Sequence, residues 1–300
     1  MSTAKTDSGK TYHTSCTGPA LATVQAHQDT SEEITLFGSC FCPFVQRVWV
    51  GFEALGVPYR YYEVDPYKKP KELLEVSPKG LVPALRFERF DPPRSLNEST
   101  VILDFLEDYA ATTTGRSLLP PKTNPYARAL ARLQADHVNR SLVPSFYRFL
   151  QAQEEAKQIE AGREFGGALE GLVVLLQRAE NEILGAGGRG NGVSGEGELR
   201  MLRKGLGLWV EGADELGWVD VMAGPWLYRA KIVLGHYRGF QLSPLGERFN
   251  AWLERLFEHE VFRRTCSDEG LYLDSYERYA FNRPNTSQVA RAINEGRVLP

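Results

Sequence analysis

The chain has 300 residues, 42% apolar and 24% charged, with a net charge of only −3. That is enough apolar material for one large domain or two ordinary ones. The near-neutral balance excludes a global attraction to nucleic acid or anionic membrane, and no run approaches the roughly 18 apolar residues of a membrane span.

The opening MSTAKTDSGKTYHTSC is polar and lacks the apolar core of an export signal, so a cytoplasmic setting is expected. Four cysteines do not make a disulfide framework. His13, His27, His137, His236 and His259 show no ligand spacing with them, so no metal is expected. Residues 1–33 are rich in Thr, Ser, Ala and Gln without a sustained period, and read as a polar extension that is disordered or orders only on docking.

From Ile34 the texture changes. ITLF (34–37) reads as a buried strand. PFVQRVWVGFEALG follows as a helix, with Pro43 at its first position and Gly56 as its stop. VPYRYYEVD (57–65) reads as a strand, KKPKELLEV (68–76) as a short helix and GLVPALRFERF (80–90) as a strand. RSLNESTVILDFLEDYA (94–110) ends in an amphipathic helix. The order strand, helix, strand, helix, strand, strand, helix predicts a mixed α/β sheet with one parallel pair and a hairpin edge. A Thr/Gly/Pro linker then leads into long helical patterns and an all-helical second domain. The expected division is 1–33 extension, 34–110 α/β domain, 111–124 linker and 125–300 helical domain. Residues 185–198 are half glycine and read as a flexible insertion.

GSCFCPF (38–44) carries the chemistry. Cys42 stands just before a helix that Pro43 begins, where backbone N–H groups and the helix dipole favour a thiolate and lower its pKa. Cys40 is two residues away, which is not the spacing of a dithiol redox motif; small core filler is the plain alternative for either cysteine. In VPAL a proline opens a strand, which suggests a cis Val82–Pro83 bond and main-chain groups on Val82 open to an extended peptide; a trans proline at a strand edge is the alternative. Ser99 of NES caps the next helix, whose N-terminus suits a carboxylate, while Glu98 suits an ammonium group. A ligand with a thiol, an extended backbone, an amine and a carboxylate satisfies all three sites, and glutathione has these groups.

On the motifs FCPFVQRVW, PYKKPKELLEVSPKGLVPAL and NESTVILDFLED, the chain resembles the omega class of cytosolic glutathione transferases, its fungal branch most of all. The resemblance continues through NPYARALARLQADHVNRSLVPSFYRFLQAQ to the tail SQVARAINEGRVLP, covering residues 34–300. It implies a thioredoxin-like domain followed by an all-helical one, and glutathione as co-substrate. Cys42 is then the catalytic cysteine that forms a mixed disulfide with glutathione, and Phe44 the aromatic beside the ligand. Lys69 reaches the glycyl end, Val82 pairs with the cysteinyl part next to the cis Pro83, and Glu98 with Ser99 binds the γ-glutamyl end. Trp226 of AGPWLYR is implied as an acceptor-site wall for a hydrophobic or aromatic acceptor, with core packing as the plain alternative. The implied activity is thiol transfer, reductive deglutathionylation or dehydroascorbate reduction, in a homodimer. Two other readings are a non-catalytic carrier of aromatic compounds and a redox sensor using Cys40 and Cys42.

Two departures from the resemblance stand out. Cys40 occupies a position where many fungal members have an aromatic residue. GWVD replaces the usual Ser/Thr-x-x-Asp capping box, with Gly217 at the cap, and predicts a slightly weaker helix start.

Overall fold

Ile34–Gly38 forms β1 and is buried along its whole length, as expected of a strand covered on both faces. The computed structural model describes residues 12–185, 196–242 and 245–300. The polar start of the chain and nearly all of the glycine-rich stretch 185–198 lie outside the described residues. A helix α1 (Gly18–Ala26) precedes β1. Then come α2 (Pro43–Leu55), β2 (Arg60–Glu63), α3 (Lys71–Val76), β3 (Ala84–Phe87), β4 (Arg94–Asn97) and α4 (Ser99–Thr113).

The sheet order is β2-β1-β3-β4. β1 runs parallel to β2 and antiparallel to β3, and β3 and β4 form the antiparallel edge, so the mixed α/β reading holds. One face packs on α2 and α4 through Val48, Phe52, Ile102, Leu103 and Leu106, all fully buried. The other carries a smaller cluster of Phe37, Val64, Leu73, Val76 and Ala84 under α3. Gly56 ends α2 in the left-handed region at φ 65°, which a glycine adopts without steric cost.

The second half is helical: α5 (Pro125–His137), α6 (Val143–Gln151), α7 (Glu155–Leu184), α8 (Glu196–Gly205), α9 (Trp218–Arg229), α10 (Gly235–Arg238), α11 (Glu247–Glu258), α12 (Glu260–Arg263), α13 (Glu269–Ala280) and α14 (Gln288–Asn294). The long pattern from Tyr126 is not one helix. A π turn at Val138–Leu142 separates α5 from α6, because Pro144 has no N–H for the Arg140 carbonyl and its ring crowds the preceding turn. Among the described residues no helix is long and apolar enough to cross a membrane.

α1 lies in the stretch that showed no period. Its ordering comes from polar backbone bonds rather than an apolar stripe. Ala20 N–H donates to Cys266 O at 3.0 Å, and the Thr23 hydroxyl to Arg264 O at 2.8 Å. Its C-cap, His27, is clamped as well. The ring stacks on Tyr59 at 4.0 Å and its Nε2 lies 3.2 Å from the Glu53 carboxylate, which also accepts from the Tyr59 hydroxyl at 2.6 Å.

Asp220 closes the start of α9. One carboxylate oxygen accepts from the N–H groups of Gly217 (2.8 Å) and Leu208 (2.9 Å), the other from the Trp252 indole at 2.7 Å. Glycine at the cap is a packing requirement. A Cβ on Gly217 would stand 2.6 Å from both Cα and N of Gly207, backbone atoms that cannot step aside. The N–H of Leu208 gives Asp220 a further donor.

Two measurements follow from these contacts. Gly217→Ser restores the capping hydroxyl, yet is expected to lower stability by about 1–3 kcal/mol because overpacking outweighs a cap gain of a few tenths. A denaturant midpoint equal to or above the wild type would refute the steric account. For His27, burial pulls the pKa down, but Glu53 and the Tyr59 carbonyl outweigh it, and the net shift is upward. For Glu53, burial pushes up, while His27 and Tyr59 hold the carboxyl below its ordinary value of 4.5. The raised His27 therefore stabilises fully below its unfolded value near 6.5 and loses that contribution as pH rises through its folded pKa. The lowered Glu53 contributes fully above about 4.5 and loses it on acidification. The melting-temperature gap between wild type and His27→Gln should thus be widest between about pH 4.5 and 6.5, and narrow toward pH 8. A gap independent of pH would count against the pair.

Candidate active site

β1 delivers the chain to a tight turn in which Cys42 N–H donates to Ser39 O at 3.1 Å. Cys42 is then the N-cap of α2, in extended backbone at φ −72° and ψ 121°, with Pro43 as the first helical residue. Of the four cysteines, all free thiols, it alone is not fully buried. Its Sγ lies 3.9 Å from the Val82 carbonyl oxygen. The Val82–Pro83 bond is cis, as is Asp91–Pro92.

Glu98 precedes α4 with φ 71°, a left-handed backbone that costs a non-glycine residue on the order of 1–3 kcal/mol and concentrates at functional sites. Ser99 does not cap α4: it is the first helical residue, Glu98 takes the cap position without a side-chain cap bond, and the buried Ser99 hydroxyl accepts from Arg47 Nη1 at 3.1 Å. A cavity of about 750 Å³ is lined by Phe44, Arg47, Val82, Pro83, Glu98 and Ser99. A smaller one, about 130 Å³, is lined by Cys42, Lys69, Tyr67, Val82, Tyr279 and Gln288. The two share Phe44, Leu81, Val82 and Val289 as walls. The structure therefore brings Cys42, Phe44, Lys69, Val82, Pro83, Glu98 and Ser99 to one continuous rim. A third cavity of about 500 Å³, beside Arg148 and Glu164, contains none of these residues. Lys69 Nζ donates to the Lys79 carbonyl at 3.2 Å.

Four features differ from expectation or were missed by it. Trp226 is fully buried and lines neither cavity. It lies edge-on to Phe44 at 4.8 Å with the Arg47 guanidinium 4.4 Å from its ring, a packing position beneath the rim and not an acceptor wall. The Cys42 thiol is not lowered overall. Burial pushes it up, and the N–H groups of Val45 and Phe44 with Arg229 and Arg47 pull it only part of the way back. The unseen factor was depth, since helix position alone counts the dipole but not the desolvation. Arg47 and Arg229 were quoted in motifs and given no role. An arginine inside an apolar helical run, as in FVQRVWV and PWLYRA, is the signal that could have singled them out. Residues 286–289 also roof the thiol pocket, where the Gln288 side chain donates to Lys79 O at 3.1 Å.

Cys40 is buried with its thiol against the His13 carbonyl at 3.3 Å, and burial, with Glu63 nearby, pushes its pKa up to about 12. Among the described residues no group of three or more His, Cys, Asp or Glu side chains could hold a metal.

Residues 36–114 match the family described as "Glutathione S-transferase, N-terminal domain". The probable glutathione S-transferase GSTU1 of Oryza sativa subsp. japonica is 30% identical over 75% of this chain and 85% of its own length. The chain belongs to the glutathione S-transferase family. The crystal structure of glutathione transferase Omega 3C from Trametes versicolor is similar over 89% of this chain and 98% of that one, with 33% identity and a TM-score of 0.68. The dehydroascorbate reductase of Chlamydomonas reinhardtii shares the fold at 21% identity and a TM-score of 0.59, over 83% of this chain and 100% of that one. In this glutathione transferase the thioredoxin-like half carries the rim and the helical half closes over it.

The placement of Trp226 makes a direct prediction. Trp226→Ala should destabilise the fold by about 3–5 kcal/mol, the range for deleting a buried aromatic. Thermal or denaturant melts that match the wild type, with altered acceptor kinetics alone, would restore the acceptor-wall reading.

Proposed function

We propose that this is a cysteine-type glutathione transferase of the omega kind, acting in thiol transfer and reductive deglutathionylation with glutathione as co-substrate. The observation that carries the reading is Cys42. It is a half-buried thiol at the N-terminus of α2, lining a small cavity that shares walls with the larger one lined by Glu98 and Ser99. An extended tripeptide laid along the rim would place its γ-glutamyl end at Glu98 and Ser99. Its cysteinyl part would meet the Val82 main chain and its glycyl carboxylate would face Lys69. In this reading residues 34–110 hold glutathione and residues 125–300 close the acceptor side.

The chemistry is a pair of exchanges. The Cys42 thiolate attacks the glutathionyl sulfur of a mixed disulfide, forming a Cys42–glutathione disulfide while the original S–S bond breaks. The released thiolate takes a proton from solvent. A second glutathione, as its thiolate, attacks the glutathione sulfur of that disulfide, freeing Cys42 and leaving oxidised glutathione. With a glutathionyl group on an activated carbon the first attack breaks a C–S bond instead, and the carbanion is protonated. Glutathione supplies both electrons in each case. The 130 Å³ cavity at the thiol is small beside the roughly 300–1,000 Å³ of ordinary ligand pockets.

Cys42→Ser should abolish thioltransferase and dehydroascorbate reductase turnover while glutathione binding by calorimetry persists, since a serine hydroxyl is not ionised at neutral pH. Turnover that survives the substitution refutes the reading.

A further inference from the structure

Two guanidiniums are buried in the joint between the two halves, each about 1% exposed. Arg229, from α9, donates from Nε and Nη2 to the carbonyl of Phe41 at 3.2 and 2.8 Å. That carbonyl belongs to the peptide whose N–H is Cys42's own. Arg229 Nη1 donates to Gln46 Oε1 at 2.5 Å and to Pro225 O at 2.9 Å, and the group sits 4.6 Å over the Tyr272 ring. Arg47, from α2, is bound to Met222 O and Ser99 Oγ. All of these partners are neutral, and among the described residues no carboxylate pairs with either guanidinium. A buried charge without a counter-ion is costly, so two of them in one joint mark a place that is built for negative charge.

We propose that Arg229 is a positioning residue for Cys42: it fixes the Phe41–Cys42 peptide through a two-pronged bond and, together with Arg47, supplies the positive field that offsets a buried thiolate. The inference rests on the reading of Cys42 as the nucleophile. The titratable groups whose charges act on the sulfur are Arg47 from α2, Arg229 from α9, Tyr147 from α6, Tyr276 and Tyr279 from α13, and Cys40 from the preceding turn. Burial pushes the three phenols and the Cys40 thiol up, so all four are neutral near pH 7 and the arginines are the charged neighbours. Burial presses Arg47 down to about 9, which still leaves it cationic there.

The test is the pH dependence of Cys42 alkylation by iodoacetamide, in which the thiolate displaces iodide, read by mass spectrometry on the Cys42 peptide. Arg229→Gln should raise the midpoint by at least about one pH unit, a roughly tenfold lower rate near pH 7. Arg229→Lys, which keeps the charge, should return it most of the way. Gln46→Glu keeps an acceptor of the same shape for Arg229 Nη1 and makes it a carboxylate, at the loss of the amide's bonds to Thr265 Oγ1 and Cys266 Sγ. It should raise the midpoint in the same direction with the melting transition retained. A folded Gln46→Glu or Arg229→Gln protein with an unmoved midpoint overturns the proposal, as does a lysine variant displaced as far as the glutamine one. Alkylation needs no glutathione, so these outcomes are independent of whether Cys42→Ser abolishes turnover.

Discussion

The clasp between α2 and α9 is the interaction on which the rest of the site depends. Arg47 leaves α2 to bond the Met222 carbonyl of α9, and Arg229 leaves α9 to bond the Phe41 carbonyl just ahead of α2. Each helix thus anchors the other's backbone with a group whose bonds would be costly to lose inside a dry joint. Trp226 and Phe44 pack edge to face against each other under the Arg47 guanidinium, which also bonds Ser99. The Cys42 turn and the start of α4 are therefore positioned by one shared network, which explains how residues from distant segments meet at a single rim.

That network also sets the electrostatics. Arg47 and Arg229 bring two positive charges to a buried place lined by neutral acceptors and phenols, and the helix starts at Cys42 and Ser99 add N–H groups of the same sign. Such a site is unfavourable empty of negative charge and improves with every anion it receives. A thiolate at Cys42 and a ligand carboxylate at Ser99 would each serve. The strained backbone of Glu98 fits this arrangement, because it places a carboxylate at the rim, away from the buried cations.

Much of this was legible in the residues. The β1–α2 turn is announced by ITLF, then Pro43 at the first helical position and Gly56 at the last, and these signals are local. The rim residues could be named because each sits at a chain feature with its own signature: a helix start, an X-Pro bond, a cap. What was not legible depends on contacts made across the fold. α1 has no apolar stripe, since it is held by hydroxyl and backbone bonds to residues 264–268, some 240 positions away. Trp226 reads the same in a sequence whether it faces a cleft or a core. Gly217 looked like a lost capping hydroxyl, because nothing local says that the Gly207 backbone lies against it.

The two cysteines of GSCFCPF show how far two positions in one motif can diverge. Cys42 ends the turn and takes the helix N-cap, so its sulfur meets N–H groups, two cations and an opening. Cys40 comes just after the strand end, with its sulfur turned inward against the His13 carbonyl and near Glu63. To resolve a mixed disulfide on Cys42, Cys40 would have to ionise beside a carboxylate in a buried place and leave its own contact first. A free glutathione thiol arriving through the cleft meets neither obstacle. For the proposed reaction the environment thus favours an external resolving thiol, and the physical reason lies in what surrounds each sulfur, which spacing alone does not specify.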